Sequence, residues 1–484
     1  MLGHCPSCSQ RIGSSWRQRS GEDVTVSSPE NSGFAPEVFS SKSAFTSDEL
    51  VIAGCTATSL ATEFGTPLFV IDEEDFRDRA ASWKSALEKN FALHAGTVFY
   101  AAKSFISVEV AKWINESGIG LDVCTGGELA VALAAGFPTD RIEVHGNNKS
   151  ESEIRRAIEV GVRAIVIDSF QEIERVARIA SELGTIQKVL LRITPGIEAH
   201  THEFIATAHE DVKFGFSIAS GSAWKAIEHV EEQDSLRLAG LHCHIGSQIF
   251  GIEGFSIAAS RLIELLAKYR DHFDRQLPEL DLGGGYGIAY LPGEESEDPQ
   301  RIMAALSHVV TGECAKHSLH VPFISIEPGR AIVGPTTTTI YQVGTTKSVE
   351  LDGGQTRRYI AVDGGMSDNI RPALYAAEYH ALLANRRSSA DLISSRLVGK
   401  HCESGDIIIR EIDLPEDVAP GDLLAIPATG AYGRSMASNY NHVPRPAVVA
   451  VTGGKARVIV RRETENDLLA LDVVEPERMN EKNR

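Results

Sequence analysis

The sequence contains few cysteines. Seven occur among 484 residues, and they are spread over the whole length: Cys5, Cys8, Cys55, Cys124, Cys243, Cys314 and Cys402. So sparse and odd a set is typical of reduced thiols in a cytoplasmic protein rather than of a disulfide framework. Cys5 and Cys8 form a CxxC pair, but zinc needs two further ligands close by, so no metal site is predicted.

The chain also lacks an excess of basic residues and any apolar run near the roughly 20 residues that span a bilayer. Its 47 basic against 66 acidic side chains give a net charge of −19. A general nucleic-acid-binding surface needs a basic face, so we expect neither nucleic acid nor membrane as a partner. No apolar N-terminal segment resembles a secretory signal, which favours a cytoplasmic location. Residues 1–40, rich in Ser, Pro and Gly, are predicted to be a disordered tail.

Short β-branched runs alternate with helix-period segments through the first two thirds of the chain. The strand-like runs are 98–103, 120–124, 141–146, 164–169, 188–194, 238–247, 279–285 and 323–330. One intervening segment has an apolar helical face followed by a glycine placed to end it: Ile173, Val176, Ala177, Ala180, Leu183 and then Gly184. Eight strand–helix units over about 250 residues predict an α/β fold, a (β/α)₈ TIM barrel over 75–335. A doubly wound open sheet fits less well, because no GxGxxG motif opens the first helix.

The pattern changes after residue 336. Short strand-like runs with turns between them follow there: 337–343, 358–362, 406–412, 422–426, 447–452 and 456–461. They predict a mainly antiparallel β domain, a β-barrel or sandwich. A strand-like stretch at 67–71 is expected to join it, so this domain is assigned to 41–74 and 336–484. The segment near 372–384 has a helical pattern.

Polar residues and glycines cluster at the carboxyl ends of the eight runs. They are Lys103, Asp122, His145, Asp168, Arg192, His244, Ser247, Gly283, Gly284, Gly285, Glu327 and Arg330. In a parallel barrel these ends lie on one face, where active sites sit. Packing alone does not explain why all eight ends supply such groups.

The chemistry of these groups points to a phosphorylated cofactor. Lys103 follows an apolar strand, and burial is expected to ease loss of its proton, as Schiff-base chemistry requires. Gly283–Gly285 and Arg330 occupy the last two strand-to-helix loops, where barrels often bind phosphate. With Glu327 to hold a pyridine nitrogen protonated, this set is what pyridoxal phosphate requires. The alternative from chemistry alone is a metal-dependent aldolase or isomerase that uses His145, His242 and Asp168.

Eight short motifs together carry a family resemblance. They are Tyr100-Ala-Ala-Lys103, His145-Gly-Asn-Asn-Lys149, His242-Cys-His-Ile-Gly-Ser247, Leu282-Gly-Gly-Gly285, Glu327-Pro-Gly-Arg330, Asp363-Gly-Gly-Met-Ser-Asp-Asn-Ile-Arg371-Pro, Cys402-Glu-Ser-Gly-Asp406 and Gly430-Ala-Tyr432. Over roughly residues 50–465 the chain resembles the fold type III pyridoxal-phosphate-dependent decarboxylases and, within them, the diaminopimelate decarboxylases. The resemblance implies an alanine racemase-like fold.

The resemblance implies pyridoxal 5'-phosphate as the cofactor. Lys103 would attach it covalently, His244 would stack on its ring and Glu327 would pair with the ring nitrogen. The phosphate and its neighbourhood would be held by Ser247, Gly284, Gly285, Pro328, Gly329, Arg330 and Tyr432.

The same resemblance implies decarboxylation of meso-2,6-diaminopimelate to L-lysine and CO₂, the last step of lysine biosynthesis. The distal amino-acid end of the substrate would contact Arg330, Arg371, Tyr375, Glu403 and Tyr432. Cys402 would donate a proton in the site of the other subunit, so a homodimer with shared active sites is implied. Arginines suit the distal carboxylate, which ornithine and lysine lack, and Glu403 suits the ammonium.

Other functions stay open at this point. One is decarboxylation of another amino acid, such as ornithine, arginine or carboxynorspermidine. A racemase would need a second base opposite Lys103, and the sequence offers no convincing one. A non-catalytic homologue would be expected to have lost Lys103 or Cys402, and both are present.

Overall fold

The computed structural model describes residues 33–473 apart from residue 47, residues 93–95, residues 197–212 and residue 355. Most of the predicted tail, including the CxxC pair, lies outside the described residues. Of the last eight residues of that predicted tail, Val38 and Phe39 are buried in a cluster with Ile340 and Val449, so they belong to the folded chain. Among the described residues, no helix has the length and apolar composition needed to cross a membrane.

The chain begins with short elements that lead into the second domain. They are β1 Ser43–Thr46, β2 Glu49–Ile52, β3 Cys55–Thr56, α1 Ala57–Phe64 and β4 Leu68–Asp72. Strands β1 to β3 form a small antiparallel sheet. Strand β4 instead pairs with strands far along the chain, as predicted for 67–71.

Alternating helices and strands follow. They are α2 Glu73–Asn90, β5 Gly96–Ala101, α3 Val108–Glu116, β6 Gly120–Val123, α4 Gly126–Ala134, β7 Ile142–Val144, α5 Glu151–Glu159, β8 Ala164–Ile167, α6 Phe170–Glu182, β9 Gln187–Thr194, β10 Phe216–Ser217, α7 Ser222–Glu231, β11 Leu236–His242, α8 Glu253–Phe273, β12 Glu279–Asp281, α9 Pro299–Lys316, β13 Phe323–Ile326 and α10 Arg330–Val333.

Eight of these strands close into a parallel barrel. The order is β5-β6-β7-β8-β9-β11-β12-β13, and β13 pairs with β5 to complete the ring. The short strand β10 extends the edge of β9. Closure confirms the TIM barrel and excludes the open sheet. The predicted runs 238–247, 279–285 and 323–330 extend too far, because their polar ends are loops at the carboxyl face.

The local sequence explains where the barrel helices start. A Ser or Thr precedes each of α3 to α6, and its side chain accepts a hydrogen bond from a backbone N–H of the first turn: Ser107, Thr125, Ser150 and Ser169. Such caps satisfy N–H groups that have no partner inside the helix. In α6 the predicted apolar face is buried except for Leu183, which is half-buried at the end of the helix, and Gly184 follows with a φ of 65°. This confirms the predicted helix and its end.

The rest of the chain forms the second domain. Its elements are β14 Thr337–Glu350, β15 Thr356–Val362, α11 Arg371–Tyr375, β16 Leu382–Leu383, β17 Leu392–Val398, β18 Ile407–Pro415, β19 Leu423–Ile426, β20 Ala447–Thr452, β21 Lys455–Val460 and α12 Glu465–Leu469. The main sheet runs β18-β17-β15-β14-β4-β20-β21, and most of its pairs are antiparallel. The fold class is therefore as predicted, a TIM barrel with a mixed, mainly antiparallel β domain, whereas the domain boundaries stay predictions.

Candidate active site

A cavity of about 430 Å³ opens at the carboxyl end of the barrel. Its walls come from the loops after β11 and β12, from α10 and α11, and from a loop after β19. The lining side chains include His244, Ser247, Gln248, Phe250, Tyr290, Glu294, Arg330, Arg371, Tyr375, Glu378, Tyr432 and Met436. Six of the thirteen predicted cofactor and substrate residues are among them: His244, Ser247, Arg330, Arg371, Tyr375 and Tyr432.

Lys103 follows β5 and is half-buried. Burial alone lowers the pKa of its ammonium, but the charges of Asp122, Cys124, Tyr432 and Glu327 outweigh burial and raise the pKa. The expectation that Lys103 loses its proton easily is therefore wrong. The reason is that acids distant in the sequence are brought beside the amine when the barrel closes.

Glu327 directly follows β13 and is buried. Its Oε1 lies 3.1 Å from Nε2 of His145 and 3.2 Å from Nε2 of His242. Burial acts to raise the pKa of Glu327, but the two histidines and Lys103 hold that pKa well below its usual range. An ionised carboxylate at this position suits a protonated ring nitrogen.

His244 lines the cavity with a neutral imidazole. Burial, together with the charges of Lys103 and Arg192, lowers its pKa well below the usual value. Its Nδ1 accepts a hydrogen bond of 3.2 Å from the backbone N–H of Gly284. This bond fixes the ring plane over the glycine loop.

Glycines allow the three loops beneath the cavity to touch. A Cβ on Gly284 would lie 2.0 Å from the carbonyl oxygen of Glu327, and one on Gly285 would lie 2.2 Å from that of Gly246. No side chain fits at either distance. The loops after β11, β12 and β13 therefore form a backbone cradle of the kind that accommodates a phosphate.

Gln248 joins two of these loops. Its Nε2 donates to the carbonyl of Ile288 at 2.6 Å, and its Oε1 accepts from the N–H of Ile288 at 3.2 Å. Beside it, Ile249 N–H donates to Gly285 and Gly287 N–H donates to Ile249, each at 2.9 Å. The cradle is thus held by hydrogen bonds between loops as well as by packing.

Arg330 begins α10 and is buried. Its guanidinium donates to Ser247 Oγ at 2.8 Å and to the hydroxyl of Tyr290, and it lies over the ring of Tyr432, 4.9 Å from the centre. Its Nε has no hydrogen-bond partner among the described residues. A buried guanidinium with donor capacity to spare suits an anionic ligand.

Arg371 lines the same cavity, at the start of α11. It is buried between two tyrosines, with its guanidinium carbon 4.8 Å from the ring centre of Tyr290 and 5.5 Å from that of Tyr379. It also donates a hydrogen bond to the Tyr379 hydroxyl. Tyr375, one turn further along α11, lines the same cavity.

Backbone contacts tie the Lys103 loop to the far side of the site. The N–H of Tyr432 donates to the carbonyl of Ser104 at 2.9 Å. A Cβ on Gly329, which follows Pro328, would lie 2.9 Å from the Cβ of Ala101. Gly329 and Tyr432 therefore contact residues that precede and follow Lys103 in the chain.

Cys402 and Glu403 do not line the cavity of their own chain. Both are exposed, on the loop between β17 and β18. That loop is firmly anchored, because the buried Asp406 accepts hydrogen bonds from Met366 N–H at 2.7 Å and His401 N–H at 2.8 Å. The pair is held in a defined position facing outward.

Several residues of the site have no counterpart in the sequence predictions. Tyr290 and Tyr379 hold the two arginines, and Gln248 holds the cradle. Tyr290 lies five residues after Gly285 in the same loop, so its closeness to the glycine motif could have indicated a place in the site. Tyr379 and Gln248 carry no comparable local signal.

The donor set fits pyridoxal phosphate. It consists of an amine, an ionised buried carboxylate, an imidazole fixed in plane and a glycine cradle next to a guanidinium with a free donor. The metal-dependent alternative needed Asp168 beside His145 and His242. Instead, Glu327 joins the two histidines, and Asp168 Oδ1 lies 3.8 Å from Arg192 Nε.

Comparisons with known proteins agree with this geometry. Residues 73–334 match the family model described as "Pyridoxal-dependent decarboxylase, pyridoxal binding domain". Over 426 residues the chain is 54% identical to the diaminopimelate decarboxylase of Mycobacterium tuberculosis, covering 87% of this chain and 94% of that protein. It is 47% identical over 427 residues to that of Bacillus subtilis, covering 88% and 95%. The crystal structure of the M. jannaschii diaminopimelate decarboxylase in complex with L-lysine superposes with a TM-score of 0.83 at 31% identity, covering 90% and 99%.

Proposed function

The chain belongs to the diaminopimelate decarboxylase family of pyridoxal-dependent decarboxylases, and on that premise we propose which of its residues perform the reaction. It is a carboxy-lyase that converts meso-2,6-diaminopimelate to L-lysine and CO₂. The cavity at the carboxyl end of the barrel is its active site. The observation that carries this assignment is the pair of buried arginines, Arg330 and Arg371, which both contact Tyr290 in the cavity wall.

In this proposal pyridoxal phosphate would be bound by groups in and next to the cavity. Lys103 would attach it, His244 would stack on its ring, and Glu327 would pair with its ring nitrogen. Its phosphate and neighbourhood would be held by Ser247, Gly284, Gly285, Pro328, Gly329, Arg330 and Tyr432. When bound, the cofactor withdraws the electron pair left behind as CO₂ departs.

The distal end of the substrate carries a carboxylate and an ammonium. The two guanidiniums are the buried cations of the cavity wall, and their planar donor geometry matches a carboxylate. Tyr375 and Tyr432 flank them. Because a buried cation without an anionic partner costs free energy, this arrangement favours a dicarboxylic substrate over ornithine or lysine.

Proton donation and ammonium binding are assigned to the partner subunit's Cys402 and Glu403. Both residues are held outward on an anchored loop and lie away from the cavity of their own chain. In a head-to-tail homodimer, each loop would enter the other subunit's cavity. Its thiol would protonate the carbon that has lost its carboxyl group, and its carboxylate would bind the distal ammonium.

The substrate assignment is tested with purified holoenzyme and a panel of amino acids. CO₂ release and the amine product are measured for meso-diaminopimelate, ornithine, lysine and arginine. We expect release with meso-diaminopimelate and L-lysine as its product. Faster turnover of ornithine or arginine would contradict the assignment.

The shared site is tested with mixed dimers. K103A and C402A homodimers should each be inactive. When the two are unfolded together and reassembled, half of the dimers are hybrids with one intact site of two, so about one quarter of the normal activity should return. No recovery from a verified hybrid dimer would place Cys402 outside the partner's site.

A further inference from the structure

His145 is buried at the carboxyl end of β7, and the proposed function gives it no role. It follows β7, which is across the ring from β13 and Glu327. Its side chain is 6% exposed. Its backbone N–H donates to Val123 at 2.8 Å, and Lys149 Nζ ties the following loop by donating to Gly146 at 2.6 Å. The position of the ring is therefore set from both sides.

Three carboxylates converge on one nitrogen of this imidazole. Nε2 lies 3.1 Å from Glu327 Oε1, 3.8 Å from Asp122 Oδ1 and 3.8 Å from Glu143 Oε2. Burial lowers the pKa of His145, but Asp122, Glu327 and Glu143 together raise it. Titratable groups that act on or adjoin this cluster are Lys103, Asp122, Glu128, Glu143, Asp168, His242, Asp281 and Glu327. Two arginines also adjoin it: Arg163 is ion-paired with Glu143, and Arg192 lies 3.8 Å from Asp168 and acts on His242.

Glu327 needs such a cation, because the barrel interior is rich in acids. One oxygen from each of Glu143, Asp281 and Glu327 lies within 4.8 Å of the others. Like charges at this spacing oppose ionisation of each group. Without compensation, Glu327 would bind a proton and lose the charge that a pyridine nitrogen requires.

Among the described residues, His242, His244 and Lys103 also interact electrostatically with Glu327, and none of them fills this role. Burial lowers the pKa of His244 well below its usual value, so its imidazole is neutral. Burial lowers the pKa of His242 to about 4, so its imidazole is neutral at pH 7. Lys103 is engaged by the cofactor in the proposed function. His145 is the remaining group that can hold positive charge against Glu327.

We propose that His145 is a positioning residue which, as an imidazolium, keeps the Glu327 carboxylate ionised and directed at the cofactor's ring nitrogen. The inference rests on the proposed function, since it takes Glu327 as the partner of that nitrogen. His145 touches neither substrate nor cofactor and acts through Glu327. Its loss therefore changes the protonation of the ring nitrogen rather than the binding of substrate.

The direct test uses holoenzyme loaded with pyridoxal phosphate labelled with ¹⁵N in the ring. The ¹⁵N chemical shift reports ring protonation as the pH is varied. In H145Q, which keeps a hydrogen-bond donor but not the charge, the ring nitrogen should lose its proton at a pH lower by about one unit or more, a tenfold change in that equilibrium. In H145K, which restores a positive charge, the shift should be partly reversed. A titration of H145Q that matches the unsubstituted enzyme would overturn the proposal.

Kinetics provide a second readout. H145Q should lower kcat by about tenfold to a hundredfold, as is typical when a residue that supports a functional side chain is lost. KM for meso-diaminopimelate should change little. H229Q is the matched control, since His229 lies on α7 with 29% of its side chain exposed and forms ion pairs with Glu174 and Glu232. It should leave both readouts unchanged.

Two further experiments separate the possible failures. If E327Q leaves the ring nitrogen unchanged, the pairing of Glu327 in the proposed function is wrong. If E327Q shifts it and H145Q does not, only the role of His145 is wrong. Should H145Q not fold, neutron diffraction from the unsubstituted holoenzyme decides: hydrogen on both ring nitrogens of His145 is expected, and hydrogen on only one would overturn the proposal.

Discussion

The guanidinium carbon of Arg371 lies 4.8 Å from the centre of the Tyr290 ring. Arg371 comes from the second domain and Tyr290 from a barrel loop, so this contact joins the two parts of the chain at the cavity wall. The aromatic face stabilises a cation that has been removed from water. The planar group is thereby fixed with its remaining donors available to a ligand.

Replacing Arg371 should act on the dicarboxylic substrate. We expect R371A to reduce kcat/KM for meso-diaminopimelate by at least about 30-fold, or about 2 kcal/mol, because a buried charged partner of the distal carboxylate is lost. Steady-state kinetics measure the change. R371K keeps the charge but not the stacked plane and should recover only part of the loss.

The control for Arg371 is R396A. Arg396 also lies over a tyrosine, 5.8 Å from the ring centre of Tyr359, but it is outside the cavity. Its removal should leave kcat/KM unchanged. Equal losses in R371A and R396A would show that the effect on activity is not specific to the cavity.

Gln248 should affect cofactor affinity. Q248N shortens the side chain so that it no longer reaches Ile288, while Asn tolerates the left-handed backbone found here, with a φ of 60°. Loss of two hydrogen bonds worth about 1 kcal/mol each should weaken pyridoxal phosphate binding about tenfold or more. Equilibrium dialysis gives the Kd. The control is Q233N. Gln233 lies just after α7, and its Nε2 donates to the backbone carbonyl of His229 at 3.4 Å, so this change should not alter the Kd.

The glycine cradle should not accept a methyl group. In G284A the new Cβ would meet the Glu327 carbonyl, so the loops must separate, at a cost of about 1–3 kcal/mol. Lower thermal stability and weaker cofactor binding are expected together.

The control variant is G312A, inside α9. There the new Cβ meets nothing within 4 Å, and the free energy of unfolding should rise by about 0.5–1 kcal/mol. A G284A protein as stable as the original would refute the steric argument.

Asp368 should make stability depend on pH. It is buried and accepts a hydrogen bond from Tyr341, and burial raises its pKa from 3.8 to about 7. The folded chain therefore holds this proton more tightly than the unfolded chain does. The resulting stabilisation is full below about pH 4 and is lost as the pH rises through about 7.

Urea denaturation across this pH range measures that contribution. The unfolding free energy of the original chain should fall more steeply with rising pH than that of D368N, by at most about 4 kcal/mol for a shift of three pKa units. D413N, at an exposed position on β18, is the matched control and should follow the original chain. Parallel curves for D368N and the original would contradict the assignment.

Local patterns were sufficient to locate the barrel strands. Apolar β-branched runs and capping serines depend on neighbours a few residues away, so each of the eight runs coincides with a strand to within a few residues at its start. The carboxyl ends of the strands were harder to predict. Gly283–Gly285 and Glu327 look like continuations of strands in the sequence, but they lie in loops that contact one another. Strand β17 escaped prediction, because its alternating apolar pattern is weak.

The sequence by itself determined the parallel (β/α)₈ rhythm, the polar face at the strand ends and the motifs of a pyridoxal-phosphate-dependent decarboxylase. Only the tertiary structure decided which charges meet. Closure of the ring puts Asp122 and Glu327 beside Lys103 and raises its pKa, where burial alone predicted the opposite. It likewise brings His145 to Glu327, and it seats Arg371 between Tyr290 and Tyr379. Periodicity is a property of nearby residues, whereas a pKa or a stacked arginine depends on groups brought together from distant parts of the chain.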